Sequence, residues 1–328
     1  MVSVAGMRIE IWADVVCPWA YIGKRRVEAA AELLGGGVEV VWRPYRIDPS
    51  APAVAEPLEE ALREPVADGA LQACSPGLGH EENRVRIAEI ARAEGLGPRW
   101  GAAWRVDSGP AHRLLALAHR HRGAQVQNAV AEAVMRAHFT EERDIGDRAV
   151  LGRIAEQAGF PEGPGLLDAG GGEREVRELL LYGKARGVAT SPTLVVGGRS
   201  LEGAQPAEAI AGFLRGGTGP APLPPEVERF RLAEALLDRR DPLGALEMLA
   251  PMLPEHGGDR GVRLLAARCR FASAQLDRAE QELRSLVAED PGDSYARLLL
   301  GRTLYRQSRD AEAAPHLRMA AAMTPDYA

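Results

Sequence analysis

The sequence predicts an α/β domain followed by an all-helical repeat domain. In the first part, a strand, a helix and a second strand follow one another, an order typical of α/β folds. From residue 226 onward, small and large apolar residues recur every 34 residues. Between the two patterns lies a segment rich in glycine and proline, where a helix cannot continue. We therefore expect an α/β domain at 7–215, a linker at 216–225 and repeats at 226–328.

Hydrophobic periodicity predicts the elements of the first domain. Residues 7–13 alternate through Ile9 and Ile11 as in a half-buried strand. Glycines at 35–37 end the helix that follows. Strands are predicted at 7–13, 38–42 and 193–197 and around Leu201, and helices at 19–34 and 207–214. A large helical insertion, about 57–186, separates the second and third strands, with helices at 81–94, 111–122, 126–139, 148–158 and 173–186.

Composition excludes several classes of protein. The 328 residues are 46% hydrophobic and 26% charged, with a formal charge of -6, as in an ordinary globular protein. The basic residues form no stripe along the sequence, which argues against nucleic-acid binding. No apolar run approaches the ~20 residues that span a bilayer, and residues 1–6 lack a secretory signal. Three scattered cysteines are too few for a disulfide framework, so we expect a cytoplasmic protein with free thiols.

The 34-residue period aligns small residues with small residues and large apolar residues with large ones. The aligned sets are Ala233, Ala267 and Gly301; Leu237, Phe271 and Tyr305; Ala245, Ala279 and Ala313; and Leu249, Leu283 and Leu317. Small residues let paired helices approach closely, and the large ones fill the groove between them. The pattern resembles three tetratricopeptide repeats, which are helix–turn–helix units of this period, although the usual tryptophan and tyrosine anchors are absent.

The resemblance to tetratricopeptide repeats implies a protein partner. Stacked helix pairs form a curved surface suited to a polypeptide or to a second copy of the chain. The last repeat has no further polar helix to cover Ala313, Leu317 and Ala320. A homodimer through this end is therefore one expectation, and a separate protein partner is the other.

The residue best suited to act as a nucleophile is Cys17. It stands where a strand ends and a helix begins, followed by Pro18 at the first helical position. Unpaired N–H groups and the helix dipole stabilise an anion there, and the thiolate is the form that attacks disulfides. We therefore expect the pKa of Cys17 to lie below the ~8.5 of a free cysteine. Trp19 offers a flat apolar surface beside the sulfur.

Motifs spread over the first domain resemble the DsbA-type oxidoreductases, in particular the FrnE-like branch. They are Asp14-Val-Val-Cys-Pro-Trp-Ala-Tyr-Ile-Gly-Lys24, Arg43-Pro-Tyr-Arg-Ile-Asp-Pro49, Ala111-His-Arg-Leu-Leu115, Ala137-His-Phe-Thr140, Gly187-Val188, Pro192-Thr193 and Gly203-Ala-Gln205. The resemblance implies a thioredoxin fold with a large helical insertion, a nucleophile at Cys17 and a cis proline at Pro192. The substrate would be a polypeptide or a small thiol or disulfide, bound by Pro18, Trp19, Ala20, Tyr21, Thr190 and Ser191.

The sequence departs from this family at Ala20. The family pattern is Cys-Pro-Trp-Cys, in which the second cysteine attacks the mixed disulfide and releases the substrate; alanine cannot do so. Four interpretations follow. The protein is a monothiol enzyme that uses glutathione or mycothiol as co-substrate, a thiol-dependent isomerase, a variant that traps mixed disulfides, or a non-catalytic adaptor or chaperone.

The remaining candidate residues favour simpler interpretations. Cys74 lies in a loop rich in glycine and proline and is either incidental or a remote resolving partner, whereas Cys269 falls on a repeat helix and belongs to its core. His112, His119 and His121 share one helix and are expected to be surface or packing residues. No spacing of cysteine and histidine resembles a zinc site, so we expect no metal and no bound cofactor.

Overall fold

The computed structural model describes residues 6–62, 79–217 and 223–327. They fall into two compact units: Met1–Gly183 with Val188–Ala221, and Lys184–Gly187 with Pro222–Ala328. The boundary between Ala221 and Pro222 lies within the predicted linker, although residues 218–222 are outside the described part. No helix of the described residues has the length and apolar character required to span a bilayer.

A four-stranded mixed sheet forms the centre of the first unit. The strands of this unit are β1 (Met7–Ala13), β2 (Val38–Pro44), β3 (Glu56–Pro57), β4 (Trp104–Arg105), β5 (Thr193–Val196) and β6 (Arg199–Glu202). The order in the main sheet is β2-β1-β5-β6, and β3 and β4 form a separate antiparallel pair. β1 and β2 are parallel, so a helix must cross between them, whereas β5 and β6 run antiparallel to their neighbours. The predicted α/β class is confirmed.

Helices surround this sheet and make up most of the insertion. They are α1 (Pro18–Leu33), α2 (Leu58–Ala61), α3 (His80–Ala93), α4 (Gly109–Phe139), α5 (Arg148–Gln157), α6 (Gly163–Asp168), α7 (Glu173–Ala185) and α8 (Ala207–Arg215). Within α4, Gly123 has φ 82° and ψ -177°, so the chain breaks there into the two helices that the sequence predicts. The sequence does not predict α6, because glycine and proline dominate it. Cys74 lies outside the described residues.

A side chain of α4 completes the edge of the sheet at β2. Gln127 is buried, its Oε1 accepts the N–H of Trp42 at 2.9 Å, and its Nε2 donates to the carbonyl of Trp42 at 2.9 Å. The indole N–H of Trp42 also donates to Asn128. A buried backbone group without a partner would be costly, so Gln127 takes the place of a neighbouring strand at this point.

Three pairs of helices, with one short helix between the first pair and the second, make up the described part of the second unit. Its helices are α9 (Pro225–Asp238), α10 (Pro242–Leu249), α11 (Leu253–His256), α12 (Arg260–Ala272), α13 (Leu276–Glu289), α14 (Ser294–Arg306) and α15 (Asp310–Met323). The backbone itself repeats with the predicted period, because Arg240, Ala274 and Ser308 all adopt left-handed φ values of 62°, 59° and 60° between the helices of a pair. The predicted tetratricopeptide-like arrangement is confirmed.

The small residues of the repeat lie where helices touch. Ala233, Ala267, Ala245, Ala279 and Ala313 are all buried. At the aligned position of the third pair is Gly301, where a Cβ would come within 2.7 Å of the Leu317 side chain. Close helix approach therefore explains why small residues recur at these two positions of the repeat.

Candidate active site

Cys17 lies at the start of α1, as the sequence predicts. It is the residue immediately before the first helical turn, with φ -85° and ψ 120°, and Pro18 follows at the first position. A turn leads into it from β1, in which the N–H of Cys17 donates to the carbonyl of Asp14 at 3.0 Å. Cys17 is the one cysteine among the described residues of the first unit.

The thiol of Cys17 faces the segment that precedes β5. Its Sγ donates to the carbonyl oxygen of Ser191 at 3.4 Å, and the Ser191–Pro192 peptide bond is cis, as the resemblance implies. Pro192 is buried and packs close to α1, since a Cβ on Gly23 would lie 3.0 Å from its Cγ. The structure therefore brings Cys17 together with Ser191 and Pro192, which lie more than 170 residues away in the sequence.

Asp14 organises the segments around Cys17. Its side chain is buried; one carboxylate oxygen accepts the N–H of Ile47 at 2.8 Å, and the other lies 3.2 Å from Nε2 of His112. Its own backbone N–H donates to Oγ of Ser191 at 3.0 Å. Burial by itself raises the pKa of this carboxyl, but the hydrogen bond and charge of His112 and the N–H of Ile47 hold it below its ordinary value.

The thiol of Cys17 is protonated at neutral pH. Burial raises its pKa to about 11, and hydrogen bonds with Ser191 and the N–H of Ala20 lower it too little to compensate, while the charge of Asp14 raises it further. The expected pKa below that of a free cysteine is therefore wrong for this structure. The helix start is present, but desolvation of the sulfur outweighs its effect.

The expected substrate-binding residues divide into two groups. Pro18, Trp19, Thr190 and Ser191 are partly exposed around Cys17, where they can contact a bound molecule. Ala20, at the position of the missing second cysteine, is fully buried.

Tyr21 belongs to the core and does not line a groove beside Cys17. It is 2% exposed, its ring stacks with Trp100 and Phe139 at centroid distances of 6.0 and 6.3 Å, and its hydroxyl donates to Oε1 of Glu132 at 2.7 Å. The expected role of Tyr21 in substrate contact is corrected accordingly.

A buried ion pair that the sequence does not predict joins α1 to α4. The side chain of Lys24 is 4% exposed, and its Nζ lies 2.9 Å from Oε2 of Glu132 and also pairs with Glu28. Burial raises the pKa of Glu132, but Lys24 and Tyr21 more than offset this and hold it below its ordinary value. A signal was available: Lys24 follows Ala20 by four residues, so it lies on the buried face of α1, where a charge needs a partner.

The three histidines expected to be surface or packing residues include both kinds. His112 is buried and packs against Asp14, whereas His119 is partly exposed and His121 is exposed. His138, on the same helix, is buried too, and desolvation lowers its pKa to about 4 against the opposing effect of Asp14. Within the described ranges, no cluster of histidine, cysteine, aspartate and glutamate could hold a metal. Cys269 is buried in α12, and burial raises its pKa to about 11.

The raised pKa predicts how Cys17 reacts with an alkylating agent. Only the thiolate reacts, so the rate with iodoacetamide should rise about tenfold per pH unit from pH 7 to 10, with a midpoint near 11. Peptide mapping of the full chain by mass spectrometry follows Cys17 separately from the other cysteines. A midpoint at or below the ~8.5 of free cysteine would show that helix-start stabilisation prevails over burial.

The contacts of Asp14 predict a large loss of stability when it is removed. Asp14→Ala leaves His112 and the N–H groups of Val16 and Ile47 without their acceptor. The free energy of unfolding should therefore fall by about 3 kcal/mol in urea titrations. Asp168→Ala, an exposed aspartate of the same unit, is the matched control and should change it by less than about 0.5 kcal/mol. Equal effects of the two substitutions would show that the contacts of Asp14 do not stabilise the fold.

Comparison with known proteins places this site in a family. The model of the DSBA-like thioredoxin domain matches residues 8–215, and a tetratricopeptide-repeat model matches residues 236–302. The structure of a probable DsbA oxidoreductase from Streptomyces coelicolor is 30% identical with a TM-score of 0.54, covering 66% of this chain and 94% of that one.

Two further relatives are more distant. YwbO of Bacillus subtilis, an uncharacterized protein, is 23% identical over 154 residues, which are 47% of this chain and 67% of that protein. The cytosolic disulfide reductase DsbM from Pseudomonas aeruginosa is 20% identical with a TM-score of 0.43, covering 64% of this chain and 98% of that one. Through residues 8–215, this chain belongs to the DSBA-like thioredoxin domain family, and it carries tetratricopeptide repeats in addition.

Proposed function

We propose that the protein catalyses thiol–disulfide exchange through Cys17 alone, with a soluble thiol completing the reaction. The observation that carries the proposal is the position of Cys17: a helix start, with its sulfur against the carbonyl of Ser191. Membership of the DSBA-like family and the similarity to a probable DsbA oxidoreductase support an oxidoreductase or isomerase.

The chemistry at Cys17 begins with loss of the thiol proton to solvent. The sulfur then attacks one sulfur of the substrate disulfide, the S–S bond breaks, and the other substrate sulfur leaves as a thiolate that takes up a proton. One substrate sulfur stays bonded to Cys17. Because the pKa of Cys17 is about 11, this first step should accelerate with pH throughout the neutral range.

Release of the substrate must come from elsewhere, because Ala20 has no sulfur. A deprotonated thiol attacks the substrate sulfur of the mixed disulfide, forms a new disulfide with it and frees the Cys17 thiolate, which regains its proton. When the attacking thiol is glutathione or mycothiol, the reaction is exchange with a small co-substrate. When it is another cysteine of the substrate, the reaction is isomerisation. We place this reaction in the cytoplasm, where reduced thiols are maintained.

One observation favours a second candidate function. A buried, protonated cysteine is a weak nucleophile, and the repeats add a surface suited to protein partners. These features would suit a non-catalytic adaptor or chaperone that binds a polypeptide without reacting with it. The two candidates differ in whether a covalent adduct forms at Cys17.

Reactivation of a scrambled disulfide protein in a glutathione buffer tests the proposal. The wild-type chain should accelerate recovery of the native disulfides, and Cys17→Ser should abolish the acceleration. Cys269→Ala is the matched control, since it removes a thiol of the second unit and should leave the rate unchanged. If Cys17→Ser is as active as the wild type, exchange at this residue is refuted and the adaptor function gains.

Restoring the second cysteine should create dithiol chemistry. Ala20 is one helical turn from Cys17, the spacing at which a resolving thiolate attacks the mixed disulfide. The Ala20→Cys variant should therefore catalyse the reduction of insulin by dithiothreitol at least ten times faster than the wild type. The double substitution Cys17→Ser with Ala20→Cys controls for the new thiol alone. A folded Ala20→Cys protein without activity would show that the surroundings of Cys17 do not admit a disulfide substrate.

A further inference from the structure

The second helix pair, α12 and α13, is covered on one face by the first helix of the third pair, α14. Leu283 and Val287 of α13 are almost fully buried, and they share an apolar cluster with Leu299 and Leu300 of α14, the first helix of the next pair. The side chain of Arg306 on α14 lies over the ring of Phe271, 4.6 Å from the centroid. The second repeat therefore offers a groove that an amphipathic helix fills.

Among the residues that the structure describes, no helix covers the same face of the third pair. We call it the terminal groove; it has a volume of about 450 Å³ and is lined by Leu298, Arg302, Tyr305, Leu317, Arg318, Ala321 and Tyr327. These residues, apart from Tyr327, stand 34 positions after Leu264, Arg268, Phe271, Leu283, Arg284 and Val287. Tyr305 is 63% exposed where the aligned Phe271 is half-buried. The sequence predicts that Ala313, Leu317 and Ala320 form the uncovered face. This prediction is corrected, because Ala313 and Ala320 are buried within the repeat and only Leu317 of the three lines the groove.

The charges of the terminal groove differ from those of its counterpart. Arg284, in the second repeat, pairs with Glu280 of its own helix at 2.8 Å and with Glu312 of the covering repeat at 3.1 Å. The aligned Arg318 has Ala314 in place of Glu280. In the part of the chain that the structure describes, neither Arg318 nor Arg302, the two guanidinium groups of the groove, forms an ion pair.

We infer that the terminal groove binds an amphipathic helix of a partner protein, seated as α14 is seated on the second repeat, with a carboxylate directed at Arg318. The apolar floor matches the leucine-bearing face of a helix, and the free guanidinium groups match an acidic rim. A second copy of the chain fits less well. A symmetric contact through this face would bring the two arginines of one copy into one interface with those of the other.

A peptide from the chain itself is a suitable probe. Residues 293–312, made with blocked ends, contain α14 and Glu312, which together cover the equivalent groove. The peptide should bind the full-length chain saturably in fluorescence anisotropy. Ala321→Trp, which fills the terminal groove, should weaken binding at least tenfold, while circular dichroism confirms that the helices remain. This variant also distinguishes binding in the terminal groove from exchange with the internal copy of α14.

Charge reversal tests the orientation of the peptide. Arg318→Glu should weaken binding several-fold, and the peptide with Glu312→Arg should restore it. Arg278→Glu, an exposed arginine of α13 outside the groove, is the matched control and should have no effect. Absence of saturable binding, or binding that Ala321→Trp leaves intact, overturns the inference. A dimer in light scattering that Ala321→Trp dissociates would also overturn it, since the occupant would then be a second copy.

Discussion

The buried carboxylate of Asp14 is the constraint on which the site depends. A charge without water must be paired and hydrogen-bonded, and in this chain the partners come from distant segments: Ile47 after β2 and His112 on α4. The backbone of the same residue holds the side chain of Ser191, whose carbonyl faces Cys17. The requirement to satisfy one charge therefore fixes the end of β1, the segment before β5 and the start of α1 relative to one another.

This arrangement has a consequence for chemistry. The packing that positions the Cys17 sulfur also removes it from water, and the negative charge of Asp14 adds to the cost of a thiolate, so the pKa rises to about 11. With Ala20 in place of a second cysteine, the site keeps Cys17 at a helix start beside a cis proline, but it has neither a readily formed thiolate nor a second thiol in the first turn of α1. The exchange reaction that we propose therefore depends on the substrate and on a thiol from outside this site.

Local patterns predict much of the fold, and contacts between distant segments determine the rest. β1 and the repeat helices follow from spacing within a few residues, which reports burial of one face. Arg240, Ala274 and Ser308 adopt left-handed backbone without being glycine or asparagine, so no residue type marks these turns in the sequence.

The candidate site likewise follows in part from local sequence and in part from contacts between distant segments. The sequence predicts the position of Cys17, because a strand precedes it and a proline and a helix follow it. Its pKa is not, because desolvation depends on how the whole first unit packs around the sulfur. The burial of Tyr21 likewise depends on Trp100, Glu132 and Phe139, which lie about 80 to 120 residues away.

The proposed function requires that Cys17 form a mixed disulfide and that an external thiol resolve it. The intact mass of the full-length protein after incubation with oxidised glutathione, with peptide mapping of Cys17, tests this most directly. We expect one glutathionyl group on Cys17 that forms faster at higher pH, persists after the small molecules are removed and disappears when reduced glutathione is added. An unmodified Cys17 at every pH up to 10, in a chain that remains folded, would contradict it.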